Sequence, residues 1–260
     1  MSYALVTGGS KGIGKEIALL LAQRNLNLIL VARSADELSS AQREIEEKYK
    51  VKVEIIAGDL SVAGEVDRVI NVIMEKNIPL SVLVNNAGYG LWGFFEKLDY
   101  ESQQAMMNVN ITALVKLTYK CLPILKKQSK SYILNVASTA AYQAVPALSV
   151  YAASKAFVLT FTRGLRFELK KSNVSVSCLS PGPTDTNFTN RAGMQAMQAV
   201  ADKFNMKTAD VAKIAVKGMF AGKAEIIPGF INVFSVKMID FLPKSMIEGI
   251  AANLYFKHLK

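Results

Sequence analysis

Six short stretches of the chain are apolar almost without interruption: 3–7, 27–32, 51–57, 80–85, 131–136 and 174–179. A strand with one face in water alternates apolar and polar residues; a strand apolar throughout must be covered on both faces. Segments with helical periodicity separate these stretches, at 13–24, 35–49, 62–76, 100–126 and 150–171. The alternation predicts a mostly parallel sheet with right-handed helical crossovers on both faces, the doubly wound α/β (Rossmann) arrangement. The helix at 35–49 carries its own start signal. Ser34 followed by Glu37 reads as a capping box, which puts Asp36 in the first helical turn.

No shift of composition marks a linker, and 260 residues with 51% hydrophobic content suffice for one large core, so residues 1–260 are expected to form a single domain. After 179 the pattern loosens. Residues 182–206 read as a substrate lid, 209–220 as a helix, and 228–260 as a C-terminal helical extension broken by Pro228, Lys237, Asp240 and Pro243. That apolar tail is expected to pack on the core, with peripheral membrane contact as the alternative reading; no run has the length of a transmembrane segment. The N-terminus enters a strand at Tyr3 without a basic stretch and a long apolar core before it, so a secretory leader is not expected and the predicted location is cytoplasmic.

Cys121 and Cys178 lie far apart in apolar segments and read as buried free thiols. The one histidine, His258, stands at the very end of the chain, which argues against Ser-His-Asp and Cys-His chemistry and against a metal site. Proton chemistry must then fall to Tyr, Lys or carboxylates. The net charge of +10 is ascribed to solvated surface, since Lys126, Lys127, Lys130, Lys170 and Lys171 fall at predicted helix ends or loops, and no nucleic-acid partner is expected.

Directly after the first strand comes Gly8-Gly9-Ser10-Lys11-Gly12-Ile13-Gly14, and then an apolar helix. Glycines let backbone approach a phosphate, and the helix N-terminus offers free N–H groups to a pyrophosphate. The spacing of Gly8, Gly12 and Gly14 departs from G-x-G-x-x-G, so the strand-loop-helix placement carries the reading. At the end of the second strand, where an acid favours NAD and an arginine accommodates the extra phosphate of NADP, stands Arg33. Its guanidinium fork suits a phosphate, and Lys11 adds a second positive charge. The predicted cofactor is NADP(H), with Asp36 as the feature that favours NAD.

Further along, Ser138 follows a strand, and Tyr151 and Lys155 stand four apart on one helix, hence on one face. A tyrosine hydroxyl near pKa ~10 is a poor base at neutral pH, and an adjacent ammonium is expected to lower that value. Taken with Asp59 after the third strand, Asn85-Asn86-Ala87-Gly88 after the fourth, Asn110, and Pro181-Gly182 with Thr184 and Thr186, these residues resemble the ordinary-length branch of the short-chain dehydrogenase/reductase family over 2–186, and the tail with its extra helices resembles the 3-oxoacyl and hydroxysteroid reductase-like members of that family.

The resemblance implies a role for each. Asp59, with Leu60 beside it, would meet the adenine; Asn86, Ala87 and Gly88 would lie beside the adenosine; Pro181, Gly182 and Thr184 would border the cofactor, and Thr186 would hold the nicotinamide carboxamide. Tyr151 would be the acid/base, Lys155 would bind the nicotinamide ribose and lower the tyrosine pKa, Ser138 would hydrogen-bond the reacting oxygen, and Asn110 would hold a water of the proton relay. The implied reaction interconverts a carbonyl and an alcohol. Leu91, Trp92, Phe94 and Phe95, residues 142–146 and residues 188–197 would border the substrate, a mostly apolar wall suited to an acyl chain or a steroid-like ketone. The tail from Glu225 shows no sign of the short closing strand usual in such proteins, which leaves the choice between homodimer and homotetramer open. The alternative to an enzyme is an NADP(H)-binding sensor without turnover.

Overall fold

A parallel sheet runs through the molecule in the order β3-β2-β1-β4-β5-β6-β7. The computed structural model describes residues 1–186, 188–197, 205–239, 241–257 and 259. The predicted lid therefore lies partly outside the described residues, at 187 and 198–204, as does His258. The strands are β1 (Tyr3–Thr7), β2 (Asn27–Ala32), β3 (Val53–Ala57), β4 (Leu80–Asn85), β5 (Ser131–Val136), β6 (Val174–Leu179) and β7 (Glu225–Ile226). Helices α1 (Gly12–Ala22), α2 (Ala35–Tyr49), α3 (Glu65–Glu75), α4 (Tyr100–Met107), α5 (Leu114–Leu125) and α6 (Ser149–Glu168) follow in alternation with the strands. Beyond β6 come α7 (Phe188–Arg191), α8 (Thr208–Phe220), α9 (Phe230–Ile239) and α10 (Lys244–Phe256).

Unbroken apolar strands have the cause expected of them. On one face, Ala4, Val6, Leu28 and Leu30 meet Ile17 of α1, Leu38 and Ile45 of α2, and Val211 and Ala215 of α8. On the other, the intervening Leu5, Ile29 and Val31 meet Val69 and Ile73 of α3 and Leu117 of α5. Both side-chain rows of each central strand are thereby removed from water. Strand order reverses between β1 and β4, and the crevice at their C-terminal ends is where such sheets bind ligands.

Four expectations are corrected. A closing strand exists: Glu225 and Ile226 pair in parallel with Cys178 and Leu179 of β6, and Arg163 Nη2 holds the Glu225 carboxylate at 2.7 Å. The helix expected at 100–126 is interrupted by a π turn, Asn108–Ala113, between α4 and α5. The one expected from 62 begins at Glu65, after Gly64 at φ 89°. The capping box is half made, since Ser34 Oγ accepts from Glu37 N at 3.2 Å while the Glu37 carboxylate turns to the glycine loop.

The tail forms two helices that bury Val236, Ile239, Ile247 and Ala251 but leave Phe230, Phe234, Phe241 and Ile250 in solvent. Among the described residues no helix is long and apolar enough to cross a membrane, and no cluster of His, Cys, Asp and Glu could hold a metal ion. Cys121 and Cys178 are free and buried, as expected.

Candidate active site

The glycine loop is held from two sides. Gly8, at φ 65°, donates its N–H to Val31 O of β2 at 2.7 Å. From β4, the N–H groups of Asn86 and Ala87 both reach Thr7 Oγ1 at 3.0 Å, and Asn86 Nδ2 donates to Thr7 O at 2.9 Å and Gly8 O at 3.2 Å. The Asn86 side chain is thus a clamp on the loop. A methyl group on Gly14 would stand 2.2 Å from Gly8 O, so the loop folds directly onto the first turn of α1. That turn has no side-chain cap; its N–H groups and the glycine cradle fit a dinucleotide pyrophosphate.

At the end of β2, Arg33 lies exposed with Nη1 3.9 Å from Asp59 Oδ2. Burial alone would raise the Asp59 pKa, but hydrogen bonds from the backbone and hydroxyl of Ser61, at 2.9 and 2.8 Å, together with Arg33, hold it below the usual carboxylate value. Lys11 Nζ and Ser10 Oγ both bind the Glu37 carboxylate, at 2.8 and 3.0 Å, and the bond from Lys11 is the main reason its pKa is lowered. Leu60 is buried with Val66 and Val69 in the core beneath α3.

One helical turn separates Tyr151 and Lys155 on α6, and both are buried. Lys155 Nζ donates to Val136 O at 3.0 Å and stands 5.9 Å from the Tyr151 ring centroid. Ser138 caps the short turn Thr139–Tyr142, its Oγ accepting from Ala140 N at 3.1 Å, and it lies close enough to the Tyr151 phenol to act on its acidity. Burial pushes the phenol up to about 12 against the lowering effect of Ser138. Burial likewise brings the Lys155 ammonium down to about 8. The expectation that Lys155 makes this phenol more acidic is therefore corrected, because withdrawal from water dominates and drives both groups toward their neutral forms.

Asn110 sits in the π turn, where its extra residue per turn displaces the side chain toward the loop after β4. Its Oδ1 accepts from Tyr89 N at 3.1 Å, and its Nδ2 donates to Tyr89 O and Ser154 Oγ, both at 3.0 Å. Gly88 lies between Asn110 and Lys155: a methyl there would be 2.9 Å from Asn110 Oδ1 and 3.2 Å from Lys155 Nζ. Asn110, Gly88, Lys155, Tyr151 and Ser138 thereby form one continuous wall.

The opposite rim is the chain after β6. Pro181 O accepts from Thr139 N at 2.9 Å, Gly182 packs against Asn232 of α9, and Thr184 Oγ1 donates to Gly182 O at 2.9 Å. Thr186 Oγ1 accepts from Phe188 N at 3.2 Å, and its methyl lies within 3.4 Å of where a Gly12 side chain would begin. The segment carrying α7 is tied across the cleft by Trp92 N donating to Ala192 O at 2.9 Å, and the Phe188 ring stands 5.3 Å from that of Tyr151.

An apolar cluster surrounds the phenol, with Met106, Val145, Met194, Leu91, Trp92 and Tyr255 among its members. Tyr255 comes from α10, and nothing in the tail's sequence signalled that it would reach Tyr151. Three residues expected at the substrate wall are not members of this cluster. Phe94 packs on Phe256 at 5.0 Å, Phe95 is exposed, and the Tyr142 hydroxyl binds Glu225 and Ser180.

Residues 2–196 match the family model described as short chain dehydrogenase. Over 213 residues the chain is 32% identical to an uncharacterized oxidoreductase of Staphylococcus saprophyticus, covering 82% of this chain and 88% of that one. It is 36% identical over 185 residues to the very-long-chain 3-oxoacyl-CoA reductase of Anas platyrhynchos, but this covers 69% of the chain and only 59% of the relative, so this chain spans little more than half of that protein. Among solved structures, a short-chain dehydrogenase from Sphingobium yanoikuyae in complex with NADPH superposes with a TM-score of 0.83 at 26% identity, over 95% of both chains.

Proposed function

Because the chain belongs to the short-chain dehydrogenase/reductase family of oxidoreductases, we propose that it interconverts a ketone or aldehyde and its alcohol with NADP(H), on a hydrophobic substrate such as a 3-oxoacyl chain or a steroid-like ketone. The observation that carries this reading is the buried phenol of Tyr151 with Ser138 beside it, walled by apolar side chains. The bound nicotinamide supplies the hydride chemistry. What the chain must supply is a proton and an oriented oxygen.

Tyr151, at about 12, keeps its proton through neutral pH, so it serves as the acid that protonates the oxygen of a carbonyl being reduced. Ser138 gives that oxygen a second hydrogen bond as charge develops on it. Lys155, reaching past Gly88, is assigned the nicotinamide ribose hydroxyls, and Thr186 at the opposite rim the carboxamide. Asn110 uses both Nδ2 hydrogens on Tyr89 and Ser154, which leaves a lone pair of Oδ1 for the relay water. The adenosine lies between Asp59 and the segment Asn86 to Gly88. Arg33 and Lys11 favour the 2′-phosphate of NADP(H), and the NADPH complex of the Sphingobium relative supports that choice. Likeness to 3-oxoacyl-CoA reductases supports an acyl substrate, reduced in the cell.

The test is NADPH consumption against ketones, aldehydes and 3-oxoacyl thioesters, with Tyr151→Phe alongside. The variant is expected to lose about 10²–10⁴-fold in turnover while binding NADPH as before. Near-normal turnover in Tyr151→Phe would defeat the mechanism, and NADPH binding with no substrate consumed would favour the sensor.

A further inference from the structure

Arg191, the last residue of α7, reaches back from the lid toward the far end of the cofactor cleft. Its guanidinium carbon stands 4.7 Å from the centroid of the Tyr89 ring, over the ring's electron-rich face. Tyr89 is itself immobilised, because Asn110 grips both its N–H and its C=O. The arginine is thereby aimed at the ends of β2 and β3, where its charge acts on Arg33, Asp59 and Glu37.

Three cations and two carboxylates meet there. Lys11 is bonded to Glu37 at 2.8 Å, whereas Arg33 keeps only a long contact to Asp59 at 3.9 Å. No carboxylate among the described residues comes within 4 Å of Arg191. Withdrawal from water, and then the like charge of Arg33, both lower its pKa. Two arginines drawn from opposite walls of a cleft repel each other unless an anion lies between them. A phosphate with several oxygens and about two negative charges would take the forks of both.

We propose that Arg191 is a lid-borne cation for the cofactor's 2′-phosphate, facing Arg33 across it. The proposal rests on the NADP(H) reading of Arg33 and goes further, since it adds to that phosphate's site a second arginine, carried by α7 beyond β6. The carbonyl of Ala192, next in sequence, accepts from Trp92 N, so an anchored Arg191 also fixes the lid against the substrate wall.

Trp92 is the one tryptophan of the chain and touches the lid, so its fluorescence reports binding without turnover. Dissociation constants for NADPH, NADH, adenosine 2′,5′-bisphosphate and adenosine 5′-monophosphate would be measured for the parent protein, Arg191→Ala, Arg191→Lys and Arg33→Ala. Arg191→Ala should weaken NADPH and the bisphosphate about 10–100-fold, as expected for a charged hydrogen bond, and leave NADH and the monophosphate within about twofold. Arg191→Lys should lose part of this, because it keeps the charge without the fork, and it serves as the test if the alanine variant does not fold. An Arg191→Ala protein that keeps its NADPH-to-NADH ratio, while Arg33→Ala loses it, overturns the proposal and leaves the NADP(H) reading standing. Equal losses for all four ligands would move Arg191 to the adenosine or its 5′-phosphate, which all four share, and overturn it as well. A parent protein without preference for NADPH would sink the NADP(H) reading itself.

Discussion

The half of the molecule built on β1 to β4 and the chain from Pro181 to Phe256 line the same cleft but are held in different ways. In the first, short polar groups bridge long sequence distances: Thr7 to Asn86 at the loop, and Asn85 to Asn135 to Thr162 through the sheet, at 2.8 and 3.0 Å. Hydrogen bonds of this kind are directional and lie wholly or partly out of water, so they favour one arrangement. In the second, the contacts are mostly aromatic and aliphatic, with Phe188 on Tyr151 and Phe94 on Phe256, while Phe230, Phe234 and Phe241 remain in water. Apolar contacts tolerate displacement and exchange of side chains. We read the first region as the fixed part of the cofactor's receptor, and the second as a more adjustable wall that meets the substrate and completes the cofactor site.

The sharpest way to break this contrast is to strain the fixed half. Gly14→Ala places a methyl 2.2 Å from Gly8 O and 2.4 Å from Asn86 Nδ2, where neither backbone nor clamp has room to yield. We expect a loss of about 3 kcal/mol or more in stability, and NADPH binding weakened beyond what the loss of any one side chain of α7 produces. Thermal unfolding and cofactor titration check both. A variant that melts and binds like the parent would show the loop to be as adaptable as the apolar wall.

Lys155, on α6 between the two regions and bonded to Val136 O of β5, should work against the stability of the fold. Its pKa lies at about 8 in the folded chain against an ordinary 10.5, so folding disfavours the charged form. The sign follows: below pH 8 both states carry the proton and the folded state bears the full penalty, which declines as pH rises toward 10.5. Lys155→Met should therefore stabilise the cofactor-free protein by up to about 3 kcal/mol at neutral pH, with the gain vanishing at high pH, and abolish turnover. Denaturant unfolding across that pH range decides it; a destabilised methionine variant would mean that the bond to Val136 O outweighs burial.

What the sequence disclosed follows the same division. β1, β2 and β4 were legible because burial on both faces demands unbroken apolar runs, and the glycine loop because only glycine fits against Gly8 O and Asn86. Val51 reads as strand because it is apolar and buried, yet β3 begins at Val53, whose N–H is bonded to Glu46 Oε1. The π turn around Asn110 was hidden, since one added residue per turn leaves the apolar periodicity of 100–126 nearly unchanged. β7 has two residues, too few for any periodicity to announce. Tyr255 and Arg191 reach the site only through tertiary packing of segments whose local sequence carries no motif. That Tyr151 and Lys155 share a helix face was readable from spacing, and the places of Ser138 and Asn110 only from the family resemblance; the acidity of Tyr151 was not, because it depends on how completely the surrounding apolar side chains exclude water.

The smallest effect tests the adjustable half. Phe188 stands before Tyr151, and a methyl on Gly90 would come 2.9 Å from its ring, so an incoming substrate must stack on this ring or displace it. Phe188→Ala removes one aromatic contact, about 0.5–1.5 kcal/mol, without touching the glycine loop or the catalytic hydroxyls. kcat/KM for a long-chain 3-oxo substrate should fall about 3–10-fold, while that for a small ketone and the affinity for NADPH stay within about twofold. Steady-state kinetics on the two substrates, paired with cofactor titration, separate the walls. If both substrates lose alike, or if NADPH affinity falls with them, the Phe188 ring serves the cofactor as well as the substrate, and the contrast between the two regions fails at that position.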